Sequence, residues 1–127
     1  MSRTRAILDQ EHIHPSIRDF IADNHADLVG EVRSAVEKHR IVIIGMAQNP
    51  FPKRARRLLN DKDIDHQYLE YGSYLSQWRR RNALKMWTGW PTFPMVFVDG
   101  MLIGGCQELK KFMSSGELAK KLASPRI

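Results

Sequence analysis

The stretch MVFVDGMLIGG (95–105) constrains this chain more than any other. Two short apolar runs meet at Asp99-Gly100, and Asp-Gly between apolar runs is the strongest short-range signal for a β-hairpin. A hairpin commits its surroundings to a sheet. Two further strands are expected: IVIIG (41–45), a β-branched run of the kind found in sheet interiors, and HQYLEY (66–71). The segments between them carry helical spacing. In HPSIRDFIADNHADLVGEVRSAVEKHR (14–40), Ile17, Phe20 and Ile21 suit the inner face of a short helix, and Leu28, Val32 and Val36 recur at four-residue spacing in a second. A helix beginning near Asn49 turns Ala55, Leu58 and Leu59 inward and ends in NDKDID (60–65). Another, about 75–87, is expected to bury Leu75, Trp78, Leu84 and Trp87, and CQELKKFMSSGELAKKL (106–122) closes the chain as one or two helices. The order β-α-β-α-β-β-α behind a helical N-terminal extension predicts an α/β sandwich around a four-stranded mixed sheet. A right-handed crossover through 49–65 would put the 45–52 loop at the carboxyl edge of that sheet, where ligands bind.

Composition then removes whole classes of function. A chain of 127 residues, 43% apolar, buries one ordinary core. It holds no apolar run near the ~20 residues that cross a bilayer, and MSRTRAILDQEH lacks a signal-peptide core, so a cytoplasmic protein without a membrane partner is expected. The single cysteine, Cys106, excludes an intramolecular disulfide, a Cys-x-x-Cys redox pair and a Cys-based zinc site. His12-Ile13-His14 lacks further placed ligands and reads as capping or surface histidine, so no metal site is expected. The net charge of +6 is uneven. Residues 1–40 hold 6 Lys+Arg against 7 Asp+Glu, leaving 14 against 7 for the remainder, concentrated in KRARR (53–57), RRR (79–81) and Lys85. Such a field attracts small anions or acidic proteins, or simply solvates two helix faces. Nucleic acid is not expected, because no aromatic-rich strand pattern accompanies the charge. Trp78, Trp87 and Trp90 read as core or as an apolar rim beside a site.

VIIGMAQNPFPKRARRLL (42–59) resembles the active-site segment of glutaredoxins, and WPTFPMVFVDGMLIGGCQELKKFMSSGEL (90–118) is similar to the signature of monothiol glutaredoxins, with its Thr-Phe-Pro segment and Gly-Gly-Cys turn. The resemblance covers about 40–123. It implies a thioredoxin-like fold with Pro94 in the cis form opposite the active-site loop, organised as a domain over 40–127 with a helical extension, 1–39, packed on it. Glutaredoxins of this kind carry Cys-Pro-Tyr-Cys or Cys-Gly-Phe-Ser, whose first cysteine attacks glutathione mixed disulfides or ligates an iron-sulfur cluster shared by two subunits. Here the tetrad is Asn49-Pro50-Phe51-Pro52, and an amide is neither a disulfide nucleophile nor a soft ligand for iron. Asn49 also reads as a helix cap followed by proline at the first helical position. Prolines at 50 and 52 delete two N–H donors that would stabilise a thiolate there.

The resemblance also implies a glutathione site whose charges are partly lost. Met46 stands where the family has a carboxylate-binding Lys. Arg81, with Lys85 one turn on, occupies the place of an Arg that shares the task. Phe93, before Pro94, offers backbone groups to the cysteinyl part of the ligand, and the γ-glutamyl end meets Gly104, Gly105, Cys106 and Gln107 in place of Gly-Gly-Cys-Asp. The expected binding set is therefore Asn49, Phe51, Arg81, Lys85, Phe93, Pro94, Gly105, Cys106 and Gln107. The expected function is a glutaredoxin-like binding or regulatory module without the catalytic cysteine, taking glutathione, a glutathione-like anion or a protein partner, and holding no iron-sulfur cluster. The alternative is a glutathione-dependent thiol-disulfide oxidoreductase acting through Cys106, which the sequence puts at a helix start.

Overall fold

A computed structural model describes residues 3–126. Residues 1, 2 and 127, the outer ends of the two regions expected from sequence, lie outside the described residues. The elements run α1 (Pro15–Asp23), α2 (Ala26–Lys38), β1 (Ile41–Gly45), α3 (Pro50–Asn60), β2 (Gln67–Glu70), α4 (Trp78–Thr88), β3 (Met95–Val98), β4 (Met101–Gly104), α5 (Cys106–Ser114) and α6 (Glu117–Leu122). The sheet has the order β2-β1-β3-β4, with β1 and β2 parallel and the other pairs antiparallel. This is the thioredoxin-like fold, with an N-terminal helical extension.

Strand periodicity divides the interior in two. Val42 and Ile44 of β1 and Met95 and Phe97 of β3 face one side, where they pack with Leu28, Val32 and Val36 of α2 and Leu84 of α4. Ile41, Ile43, Val96 and Val98 face the other and meet Ala55 and Leu59 of α3, Leu109 of α5 and Leu118 of α6. A β-branched run buried on both faces was the reading of IVIIG, and every residue of β1 is buried. The hairpin forms as expected. Asp99 and Gly100 have φ of 48° and 82°, the positive pair that a tight hairpin turn with the twist of its strands requires.

Two apolar stripes read from the sequence are not buried. Ile17, Phe20 and Ile21 of α1 are all exposed, Phe20 at 75%, because no element packs over that helix face. α4 begins at Trp78, not near 75, and among the four residues expected inside only Leu84 is fully buried. Leu75, Trp78 and Trp87 are exposed to different degrees. The cause is local: Ser73 and Ser76 close a turn of side-chain bonds, and Gln77 has φ of 56°, so the backbone cannot enter a helix before residue 78. Trp87 instead stacks on Phe97, ring centroids 6.2 Å apart. The histidine pair caps and decorates: His14 Nδ1 accepts the Ser16 N–H at 3.1 Å, at the head of α1. Among the described residues no cluster of three or more metal-ligating side chains forms, and no helix is long and apolar enough to cross a membrane.

Candidate functional site

β1 delivers the chain to its carboxyl edge at Gly45. A side chain there would collide with its surroundings, since a Cβ would stand 2.7 Å from Pro52 Cβ and 2.8 Å from the Tyr68 hydroxyl. The following loop is tied to the end of β2 by Tyr71 N–H to Gly45 O (3.0 Å) and Ala47 N–H to Gly72 O (2.7 Å). Asn49 then caps α3. Its Oδ1 accepts the Phe51 N–H at 3.0 Å, while its Nδ2 donates to the Phe93 carbonyl at 3.4 Å. The cap reading of Asn49 is thus the geometry observed, and the same amide reaches across to the facing loop. The Phe93–Pro94 bond is cis, as the resemblance implied.

The third wall is the turn from β4 into α5. Glu108 Oε1 accepts the Gly105 N–H at 2.9 Å, and Glu108 Cβ and Cγ lie where a Cβ on Gly104 would come within 2.7 and 2.6 Å, with Gly104 at φ 121°. Only glycine fits there. The three walls enclose a groove of about 510 Å³ lined by Met46, Asn49, Phe51, Tyr74, Lys85, Trp90, Pro91, Thr92, Phe93, Pro94, Gly105, Cys106, Gln107 and Glu108. Eight of the nine residues expected from sequence therefore share one cavity.

The ninth does not. Arg81 is buried on the inner side of α4, where its Nη1 donates to the Tyr71 carbonyl at 3.0 Å and to the Ser76 carbonyl. It holds up the loop before α4 and does not line the groove. Lys85 is the cation that does, its Nζ 5.8 Å from the Phe93 ring centroid. Met46 belongs to the α2/α4 side of the core and is buried, so it replaces a charge with packing.

Cys106 is the first residue of α5 and lines the groove half-buried. Burial pushes its thiol above the ordinary range; Arg54 pulls it back, Glu108 raises it further and Lys110 lowers it. Desolvation is the largest of these influences, and it works against the thiolate. Sequence reasoning missed Tyr74, which had been placed outside the helix with no spacing to mark it, and Glu108. Glu108 was readable: an acid three residues after a helix cap reaches back to the cap N–H. Trp90 sits at the rim, with its Nε1 buried and unpartnered.

The geometry agrees with comparisons to known proteins. The glutaredoxin family model matches residues 41–103. A glutaredoxin-like protein of Dictyostelium discoideum is 42% identical over 122 residues, covering 96% of this chain and 98% of its own, and glutaredoxin 1 of Rickettsia prowazekii is 33% identical over 84 residues, covering 66% and 87%. Among solved structures, buckwheat glutaredoxin in complex with glutathione superposes with a TM-score of 0.67 at 21% identity, covering 80% of this chain and 92% of that one, which shows a shared fold. Matched almost end to end by one relative at 42% identity and across 66% of its length by another at 33%, the chain belongs to the glutaredoxin family.

Proposed function

We propose that this protein is a glutaredoxin-fold binding module, holding glutathione or a glutathione-like anion in the groove between Asn49, Phe93 and the 105–107 turn without performing thiol chemistry on it. The observation that carries the reading is the double hydrogen bond of Asn49: the residue at the head of α3 is spent on capping Phe51 N–H and on Phe93 O. A neutral amide so placed can neither attack a disulfide nor be ionised. Binding remains available. Lys85 supplies a cation, the Gln107 side chain and the first N–H groups of α5 are donors for a carboxylate, and Phe51 and Trp90 give an apolar lining. The complex of buckwheat glutaredoxin with glutathione supports glutathione as the first ligand to test. The donor set does not fit an iron-sulfur cluster, which needs several thiolates: position 49 offers an amide, and Cys106 is the chain's single cysteine.

Two measurements on the same protein test this. In a glutathione-coupled assay of mixed-disulfide reduction the rate should equal background, and in an NMR titration reduced glutathione should shift the amides of residues 49, 51, 93 and 105–107. Turnover above background that disappears in Cys106→Ser would move the function to the alternative, an oxidoreductase using that thiol. A titration with no shifts at these amides would remove glutathione as the ligand.

A further inference from the structure

We propose that the outer rim of the groove, formed by the loop 72–77 with the heads of α3 and α4, is a docking surface for an acidic segment of a partner protein that carries apolar anchor residues. It extends the ligand-binding reading of the groove to a second, neighbouring surface. The loop is built to stay in place. Ser73 N–H donates to Ser76 Oγ (3.0 Å), Ser76 N–H to Ser73 O (3.2 Å) and Leu75 N–H to Ser73 Oγ (3.3 Å), and from below the buried Arg81 guanidinium holds the carbonyls of Tyr71 and Ser76. Gly72, at φ 68°, leaves no space for a side chain against Ser76 O.

Yet what this ordered loop presents is apolar. Leu75 is 93% exposed, Tyr74 59% and Trp78 54%, while Phe51, across the groove, is 45% exposed. Single exposed apolar residues need no explanation, but several on one rigid rim mark a binding surface. Rigidity matters because side chains already ordered lose less entropy on binding.

Charge identifies the occupant. Residues 46–60 contain Lys53, Arg54, Arg56 and Arg57 and no acid; residues 71–94 contain Arg79, Arg80, Arg81 and Lys85 and no acid. Arg81 is consumed internally, Arg80 lies 3.8 Å from Asp27 and Arg56 lies over the Tyr68 ring, but among the described residues Arg54 and Arg79 form no ion pair. Among the described residues the one carboxylate lining the groove, Glu108, is engaged with Gly105 N–H. Two cations sit directly on the apolar rim, Arg54 over the Phe51 ring and Arg79 over the Trp78 ring, each 5.1 Å from the centroid. Apolar residues interleaved with unpaired cations complement acidic residues interleaved with apolar ones. Single-stranded nucleic acid fits less well, because the Phe51 and Trp78 rings each already carry one of the protein's own arginines and the most exposed group, Leu75, is aliphatic and offers no base-stacking face.

The test uses the full chain and three labelled probes: a short peptide alternating Glu with Leu and Phe, the same peptide with Lys for Glu, and an oligothymidylate of similar length. The acidic peptide should bind, shift the amides of residues 72–79, and lose at least about tenfold in affinity in Leu75→Ser and in Arg79→Glu. Neither variant touches the groove lining, so both should retain the glutathione titration of the parent. The proposal is overturned if the acidic peptide does not bind, if it binds Leu75→Ser as tightly as the parent, or if the Lys peptide matches it. Tighter binding of oligothymidylate also overturns it and assigns the rim to nucleic acid. If the parent ignores glutathione but binds the acidic peptide through Leu75, the groove reading fails and this one stands.

Discussion

Asn49 does with one amide what a cysteine cannot: its oxygen caps a helix and its nitrogen ties that helix to the loop before Pro94. Restoring sulfur therefore costs structure. Asn49→Cys forfeits a cap worth ~1 kcal/mol. The new thiol would have the Phe51 N–H to lean on but not a donor at position 52, where proline has none. Asn49→Cys should stay near background in the glutathione-coupled assay, and Asn49→Cys/Pro52→Ser should exceed it by about tenfold, or ~1.4 kcal/mol in the barrier. Equal rates in the two variants would show that Pro52 does not limit the site. Recharging position 46 is not part of this test, because Met46 is a core residue and a lysine there would have to be buried or pull out. The cap was legible from Asn followed by Pro. The burial of Arg81 was not, since a charged residue turned inward to serve backbone carbonyls leaves no periodic mark, and its anion-binding role came from position alone.

Elements were legible where local chemistry and periodicity agree, as in β1, α2 and above all the hairpin. Its turn carries a bond that the sequence does not announce. Arg40 Nε and Nη2 donate to Asp99 Oδ1 and Oδ2, both at 2.9 Å, and Nη2 also donates to the Lys121 carbonyl at 3.0 Å, so one guanidinium joins the turn, the entry to β1 and the end of α6. The Arg40 guanidinium holds the Asp99 carboxyl below its ordinary value of 3.8. A depressed folded-state value means stabilisation that is complete above 3.8 and is lost as pH falls through the folded value. Asp99→Asn keeps a turn residue that tolerates positive φ but removes the charge. It should melt below the parent at pH 7, and the gap should close toward about pH 2 as the parent's carboxylate protonates; a gap unchanged with pH would deny the pair its role. The start of α4 was misjudged for the opposite reason. Ser73 and Ser76 compete for backbone donors through their side chains, a contest that apolar spacing does not record.

For the molecule as a whole, the two helices before β1 have different standing. α2 supplies Leu28 and Val32 to the core beneath the sheet, while α1 buries nothing. Deleting residues 1–24 should leave the denaturant midpoint nearly unchanged, whereas Leu28→Ala should cost ~2–5 kcal/mol of stability by urea unfolding. A large loss on deletion would show that α1 holds the fold in a way its exposure conceals. Amphipathic spacing looked the same in both helices, because a sequence shows that a face is apolar and not what covers it. The packing at Gly45 has a bearing on the history of such a chain. Pro52 Cβ and the Tyr68 hydroxyl fill the space a side chain at 45 would need, so two neighbours from different elements hold that position at glycine. Exchanging Pro52 for another residue that carries a Cβ leaves that space filled, so such a chain can change position 52 early or late while position 45 stays glycine until the wall made by 52 and 68 moves.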